Sequence, residues 1–239
     1  MADTIAQFEH VISICRDLFV KKLKDYGASW RIMHPQSVTD QIFIKAKRIR
    51  SIETKGESKI DEGVRSELIG IVNYGIIGLI QLHLGYSDSE DITVERALDL
   101  YDKYMTETKE LMYAKNHDYD EAWRSMRISS YTDLILTKIC RTKQIENNNG
   151  KTLVSEGVDA NYMDMINYSL FGLIKIEYGE QDEHKLDDRK SHRKKHGKRR
   201  KEIEMKRRKI ILKLINRAIG IDSLHEPRKH KRSAYDQAR

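Results

Sequence analysis

The chain has 239 residues, of which 39% are hydrophobic and 34% charged: long enough to bury a sizeable core, yet polar overall. Its net charge of +7 is unevenly spread, because Lys185 to Arg239 holds 21 Lys or Arg against 7 Asp or Glu. That tail carries +14, so residues 1–184 carry −7, and the basic character belongs to an appended segment. The longest apolar stretch, Ile69 to Leu84, includes Asn73, Tyr74, Gln81 and His83, which reads as too short and too polar for a membrane span. Met1-Ala2-Asp3-Thr4 lacks the basic and apolar regions of a signal peptide. Cys15 and Cys140 have no metal-ligand spacing, and a reducing, cytoplasmic compartment is expected.

In chain order, Thr4 to Gln7 matches a capping box, and Ile5, Phe8, Val11, Ile12, Cys15, Leu18 and Phe19 then recur at helical spacing. The segment Asp25-Tyr26 through Trp30-Arg31, with Pro35, ends this helix and makes the connection. Thr39 is expected to cap a second helix that stops near Gly56, and a third runs from near Glu62 to Gly85. Residues 93 positions on repeat the pattern: Asp118-Tyr119 through Trp123-Arg124, then Thr132 as the cap, a stop near Gly150, and a last helix from near Glu156 to Gly179. No proline lies between Pro35 and Pro227, and alternating strand patterns are absent.

The repetition is an internal duplication. At an offset of 93, Thr39-Asp40 falls on Thr132-Asp133, Lys45 on Lys138, Arg48 on Arg141 and Ile52-Glu53 on Ile145-Glu146. After a one-residue insertion, Glu62-Gly63-Val64 matches Glu156-Gly157-Val158, and Asn73-Tyr74 matches Asn167-Tyr168. The expected fold is all-α: two tandem three-helix units packed as a pseudo-symmetric bundle, plus a basic C-terminal tail. The boundaries are 1–90 for the first unit, 91–180 for the second, and 181–239 for a tail that is disordered or partly helical.

The chemistry-bearing residues concentrate in the second unit. Glu156, Asp159, Asp164 and Asn167 fall within an arc of roughly 140° at the helical period. Hard oxygen donors on an otherwise apolar helix suit Mg²⁺, and a solvated acidic face is the structural alternative. The first unit has Arg65 in place of Asp159, Gly70 in place of Asp164 and Glu67 in place of Asn161, so the two units are not equivalent. Lys138 and Arg141, repeating Lys45 and Arg48, are one turn apart and can hold a phosphate, or else pair with carboxylates. Trp123 and Arg124 can stack on a base and reach a phosphate, or else serve the core. No phosphate loop and no Ser-His-Asp or Cys-His motif is present.

The runs Cys15-Arg16-Asp17-Leu18-Phe19, Lys24-Asp25-Tyr26-Gly27 through Trp30-Arg31, Thr39-Asp40-Gln41-Ile42-Phe43-Ile44-Lys45, and Glu156-Gly157-Val158-Asp159-Ala160-Asn161-Tyr162-Met163-Asp164-Met165-Ile166-Asn167-Tyr168 carry a family resemblance. Over residues 1 to about 180 the chain resembles the nucleotide modification associated domain 1 family. The pattern from Glu156 to Asn167 also looks like the acidic helix of MazG-like all-α nucleotide pyrophosphohydrolases. That likeness implies carboxylates on paired helices holding Mg²⁺ around a triphosphate. It makes Glu156, Asp159 and Asp164 catalytic and metal-binding, with Glu146 a further metal ligand. Lys138, Arg141, Asn167, Lys45, Arg48, Trp123 and Arg124 would then bind substrate. The expected partner is a nucleotide, with nucleic acid held through the tail, no membrane, and a homo-oligomer as a further expectation. The alternative function is a non-catalytic nucleic-acid-binding or structural helical module.

Overall fold

Pro35 sits at the first position of a helix, where its missing N–H and fixed φ suit the first turn, so it starts the second helix rather than forming the connection before it. The computed structural model describes residues 2–56, 63–119, 121–179 and 204–206, and in these every regular element is helical. The order is α1 (Ala2–Tyr26), a 3₁₀ turn (Ser29–Ile32), α2 (Pro35–Lys55) and α3 (Val64–Leu84). The second repeat follows as α4 (Val94–Tyr119), a 3₁₀ turn (Ala122–Ser125), α5 (Ile128–Asn147) and α6, helical over residues 158–179. Gly56 ends α2 in the left-handed helical conformation at φ +72°, and Gly85 ends α3 at φ +73°, positive φ values that a side chain would strain.

Three expected caps are not caps. Thr4 lies inside α1 and donates to Glu121 (2.5 Å), while Gln7 accepts from Arg124 (2.7 Å). Thr39 and Thr132 lie one turn inside α2 and α5 and are buried. Their hydroxyls reach across to the other repeat: Thr39 donates to Glu146 (2.7 Å) and Thr132 to Glu53 (2.9 Å). Each residue of one bond is the repeat of its counterpart in the other. The same reciprocity joins Arg50 to Asp133 and Lys143 to Asp40 across the α2–α5 contact. It also sets Gly78 against the Tyr162 ring and Gly172 against Leu68 across α3 and α6. Paired contacts of this kind are the signature of an isologous, two-fold interface, here inside a single chain.

Residues 1–179 form one compact unit, so the repeats share a core. By length and composition α3 could cross a membrane, but 72% of its apolar window is buried within the protein. Its apolar all-round surface answers to packing on α1, α2 and α4. In α1, Phe8, Val11, Ile12, Cys15 and Phe19 face the core as the spacing indicates, whereas Ile5 is exposed. The tail lies outside the described residues except for 204–206, which are helical.

Candidate functional site

In the first repeat, Lys45 and Arg48 of α2 converge on Glu67 of α3, which is 3% exposed. A buried carboxylate needs such partners, and a basic pair on the facing helix supplies them. In the second repeat Asn161 occupies the position of Glu67, and the charge balance changes. Lys138 turns to Asp164 (2.5 Å), which also accepts from Lys115 of α4 (2.7 Å). Burial works against the charge on Lys115, but its hydrogen bond and attraction to Asp164 outweigh that and raise its pKa. Arg141, one turn beyond Lys138, is exposed, and among the described residues no carboxylate pairs with it.

Arg141 and Lys138 open onto a cleft of about 540 Å³ between the C-terminal half of α5 and the segment 148–157 that leads into α6. Gln144, Asn148 and Lys151 line it, with Glu156 beside the start of α6. Gly150 at φ +76° lets this segment turn back over the end of α5. Asn161 lines the same cleft at 3% exposure. Its amide donates to the Gly157 carbonyl (2.7 Å), while its buried Oδ1 has no partner. Buried polar atoms are nearly always satisfied in folded proteins, so an orphan acceptor on a residue of the cleft wall sets this place apart.

The other expected site residues are dispersed. Glu156 precedes α6 instead of continuing its face, so the acidic arc is broken at its first member. Asp159 is exposed, with its carboxylate folded over Gly157. Both oxygens of Asp164 are held by lysines, and Glu146 is engaged by Thr39 on the far side of α5. Among the described residues no three carboxylates, histidines or cysteines stand where they could share a metal ion. The four residues expected to hold Mg²⁺ therefore do not fit a common centre. Asn167 ties α6 to the α4 backbone through Thr108 (3.2 Å), and its Oδ1 is orphaned because the repeat of its partner position is Phe8 rather than Tyr101.

Trp123 is buried and Arg124 half-buried, and both are engaged within the protein. The Trp123 ring stacks on Phe171 at 4.5 Å, and Arg124 binds Glu121, Thr4 and Gln7. Arg31, the repeat of Arg124, is fully buried, holding Asp91 (2.7 Å) and the Gly85 carbonyl (2.5 Å). Lys115, Lys151 and Gln144 escaped the sequence reading. Lys115 is the repeat of Lys22, a match at the 93-residue offset that could have flagged it. Lys151 and Gln144 come together only through the turn at Gly150.

Fold and cleft together define a duplicated all-α domain whose two copies differ in charge at equivalent positions. The family model for nucleotide modification associated domain 1 matches residues 22–82 and again 115–176. The chain belongs to this family, carries the domain twice, and is thereby associated with nucleotide modification. No curated protein and no solved structure matches it.

Proposed function

We propose that the second repeat binds a nucleotide through its phosphates in the cleft beside α5. The observation that carries this reading is the exchange of Glu67 for Asn161: it removes the carboxylate that neutralises the basic pair in the first repeat and leaves Arg141 exposed in an open cleft. Arg141 supplies the planar fork that matches phosphate, Lys151 adds a point charge, and Lys138 is the inner cation, already shared with Asp164. The N-terminus of α6 opens beside Glu156, so its free N–H groups favour an anion there. Hydrolysis through protein-held Mg²⁺ gains no support from the dispersed carboxylates, and the function proposed is binding.

The test is titration of the full chain with nucleoside mono-, di- and triphosphates, with and without Mg²⁺, alongside a pyrophosphate and phosphate release assay. Affinity should rise with phosphate number, and Arg141→Ala should weaken it about tenfold, the loss of one charge-assisted pair. Asn161→Glu should abolish binding and leave the fold intact, because the first repeat accommodates Glu67 against the same basic pair. A wild-type chain that binds no nucleoside triphosphate overturns the reading, as does Asn161→Glu binding at full strength.

A further inference from the structure

The first repeat contains a second cavity, of about 300 Å³, at a place where the second repeat is filled by its own side chains. In the second repeat Phe171 stacks on Trp123, with ring centroids 4.5 Å apart and planes 14° from parallel. Two turns earlier on α6, Asp164 sits between Lys115 and Lys138. The first repeat has Ile77 in place of Phe171 and Gly70 in place of Asp164. It keeps the receiving groups: Trp30, Lys22 and Lys45 line the cavity, with Gly70, Tyr74 and Ile77. What is missing is a ring at the Phe171 position and a carboxylate at the Asp164 position, although Glu67 still holds Lys45.

A polar group left over in the receiving set agrees with this. Trp123 Nε1 donates to Asn116 (2.9 Å), but the equivalent position beside Trp30 is Leu23, and the buried Trp30 Nε1 has no partner. Lys22 is exposed beside the cavity, and Lys45 reaches toward the Tyr74 ring at 5.9 Å while holding Glu67. Gly70 lets the Lys45 side chain lie against α3, since a Cβ there would lie 2.7 Å from it.

We propose that this cavity binds a nucleoside monophosphate, its base against Trp30 in the place of Phe171 and its phosphate between Lys22 and Lys45 in the place of the Asp164 carboxylate. The pairing of ring and anion comes from the second repeat. The choice of a nucleotide over another aromatic anion rests on the nucleotide reading above, while the site is separate from the α5 cleft. A cavity of this size is at the lower end for small-molecule sites, which suits a monophosphate with its charge at the rim.

The experiment is calorimetric titration of the full chain with thymidine and deoxycytidine monophosphates, and with ribose 5-phosphate and thymidine as fragments. At least one nucleoside monophosphate should bind, and each fragment should bind about tenfold more weakly or worse, since either ring or anion is absent. Gly70→Asp and Ile77→Phe write the second repeat's own groups into the cavity, and each should reduce affinity about tenfold with little change in Tm. Lys22→Ala, at an exposed position, should weaken binding without touching the core. Arg141→Ala should leave this binding unchanged, which separates the site from the α5 cleft. Absence of binding by both monophosphates, equal binding of ribose 5-phosphate, or full affinity in both Lys22→Ala and Ile77→Phe overturns the proposal. Binding lost in Arg141→Ala alone also overturns it, by moving the ligand to the α5 cleft.

Discussion

At the scale of single residues, burial decides what a side chain does. Cys15 is fully buried, and burial pushes its thiol pKa up to about 12, whereas Cys140 is exposed. In the native chain a thiol reagent at pH 8 should therefore label Cys140 alone, with Cys15 reacting only after denaturation. Two labels on the folded chain would contradict the burial. Arg31 is 1% exposed and gathers Asp91, Gln81 and the Gly85 carbonyl. Arg31→Ala would leave the Gln81 side-chain oxygen without its donor and empty a large volume, and should cost about 3 kcal/mol in urea denaturation.

Glu53 and Glu146 are the reciprocal pair that meets Thr132 and Thr39, and burial raises the pKa of each. Glu53 Oε2 is buried with no partner. A carboxyl whose pKa is higher folded than unfolded adds stability below its unfolded pKa and loses it as pH rises through the folded value. Ionised Glu53 is thus a burden at neutral pH, and Glu53→Gln should raise Tm at pH 8 by about 2 °C. The gain should shrink as pH falls through the carboxyl range. A gain independent of pH would show that charge burial is not its cause.

At the scale of elements, the helices and their turns were legible because periodicity and glycine placement are local signals. The caps were misread for a reason visible at Thr39: a hydroxyl near a helix start looks like a cap in one dimension, but this one faces a carboxylate 107 residues away. The close approach of α3 and α6 is a further property of the pair. A helical Gly→Ala change normally gains about 1 kcal/mol. At Gly78 the new Cβ would lie 2.7 Å from the Tyr162 ring, itself fully buried and hydrogen-bonded to Thr39, so Gly78→Ala should lose about 2 kcal/mol instead. Gly172→Ala meets only the flexible Leu68 tip at 3.0 Å and should be near neutral. Equal effects at the two positions would argue against the asymmetry of this contact.

At the scale of the whole molecule, the two charges separate. Residues 1–179 form the compact unit, while the +14 resides beyond residue 184. Truncation after residue 179 should leave a folded, cooperative unit and remove most salt-dependent affinity for DNA or RNA, since an acidic body repels a polyanion. Undiminished binding by the truncated chain would place the nucleic-acid surface on the body. The repeats should not survive separation. Residues 1–90 alone would expose the faces of α2 and α3 that meet α5 and α6, and circular dichroism should show them largely unfolded.

From sequence alone came the all-helical class, the duplication, the acidic body and basic tail, and the basic pair Lys138 and Arg141 that marks the cleft. Each is a matter of composition, period or self-similarity, all of which survive in one dimension. Only the tertiary structure decided which charges cancel. Asp164 looks like a metal ligand on its helix face, but α4 and α5 bring Lys115 and Lys138 onto its two oxygens. Glu146 shares a sequence neighbourhood with the cleft, but the pseudo-two-fold turns it toward Thr39. A helical period tells which residues share a face and cannot tell what that face meets, because its partners come from helices far away in the chain.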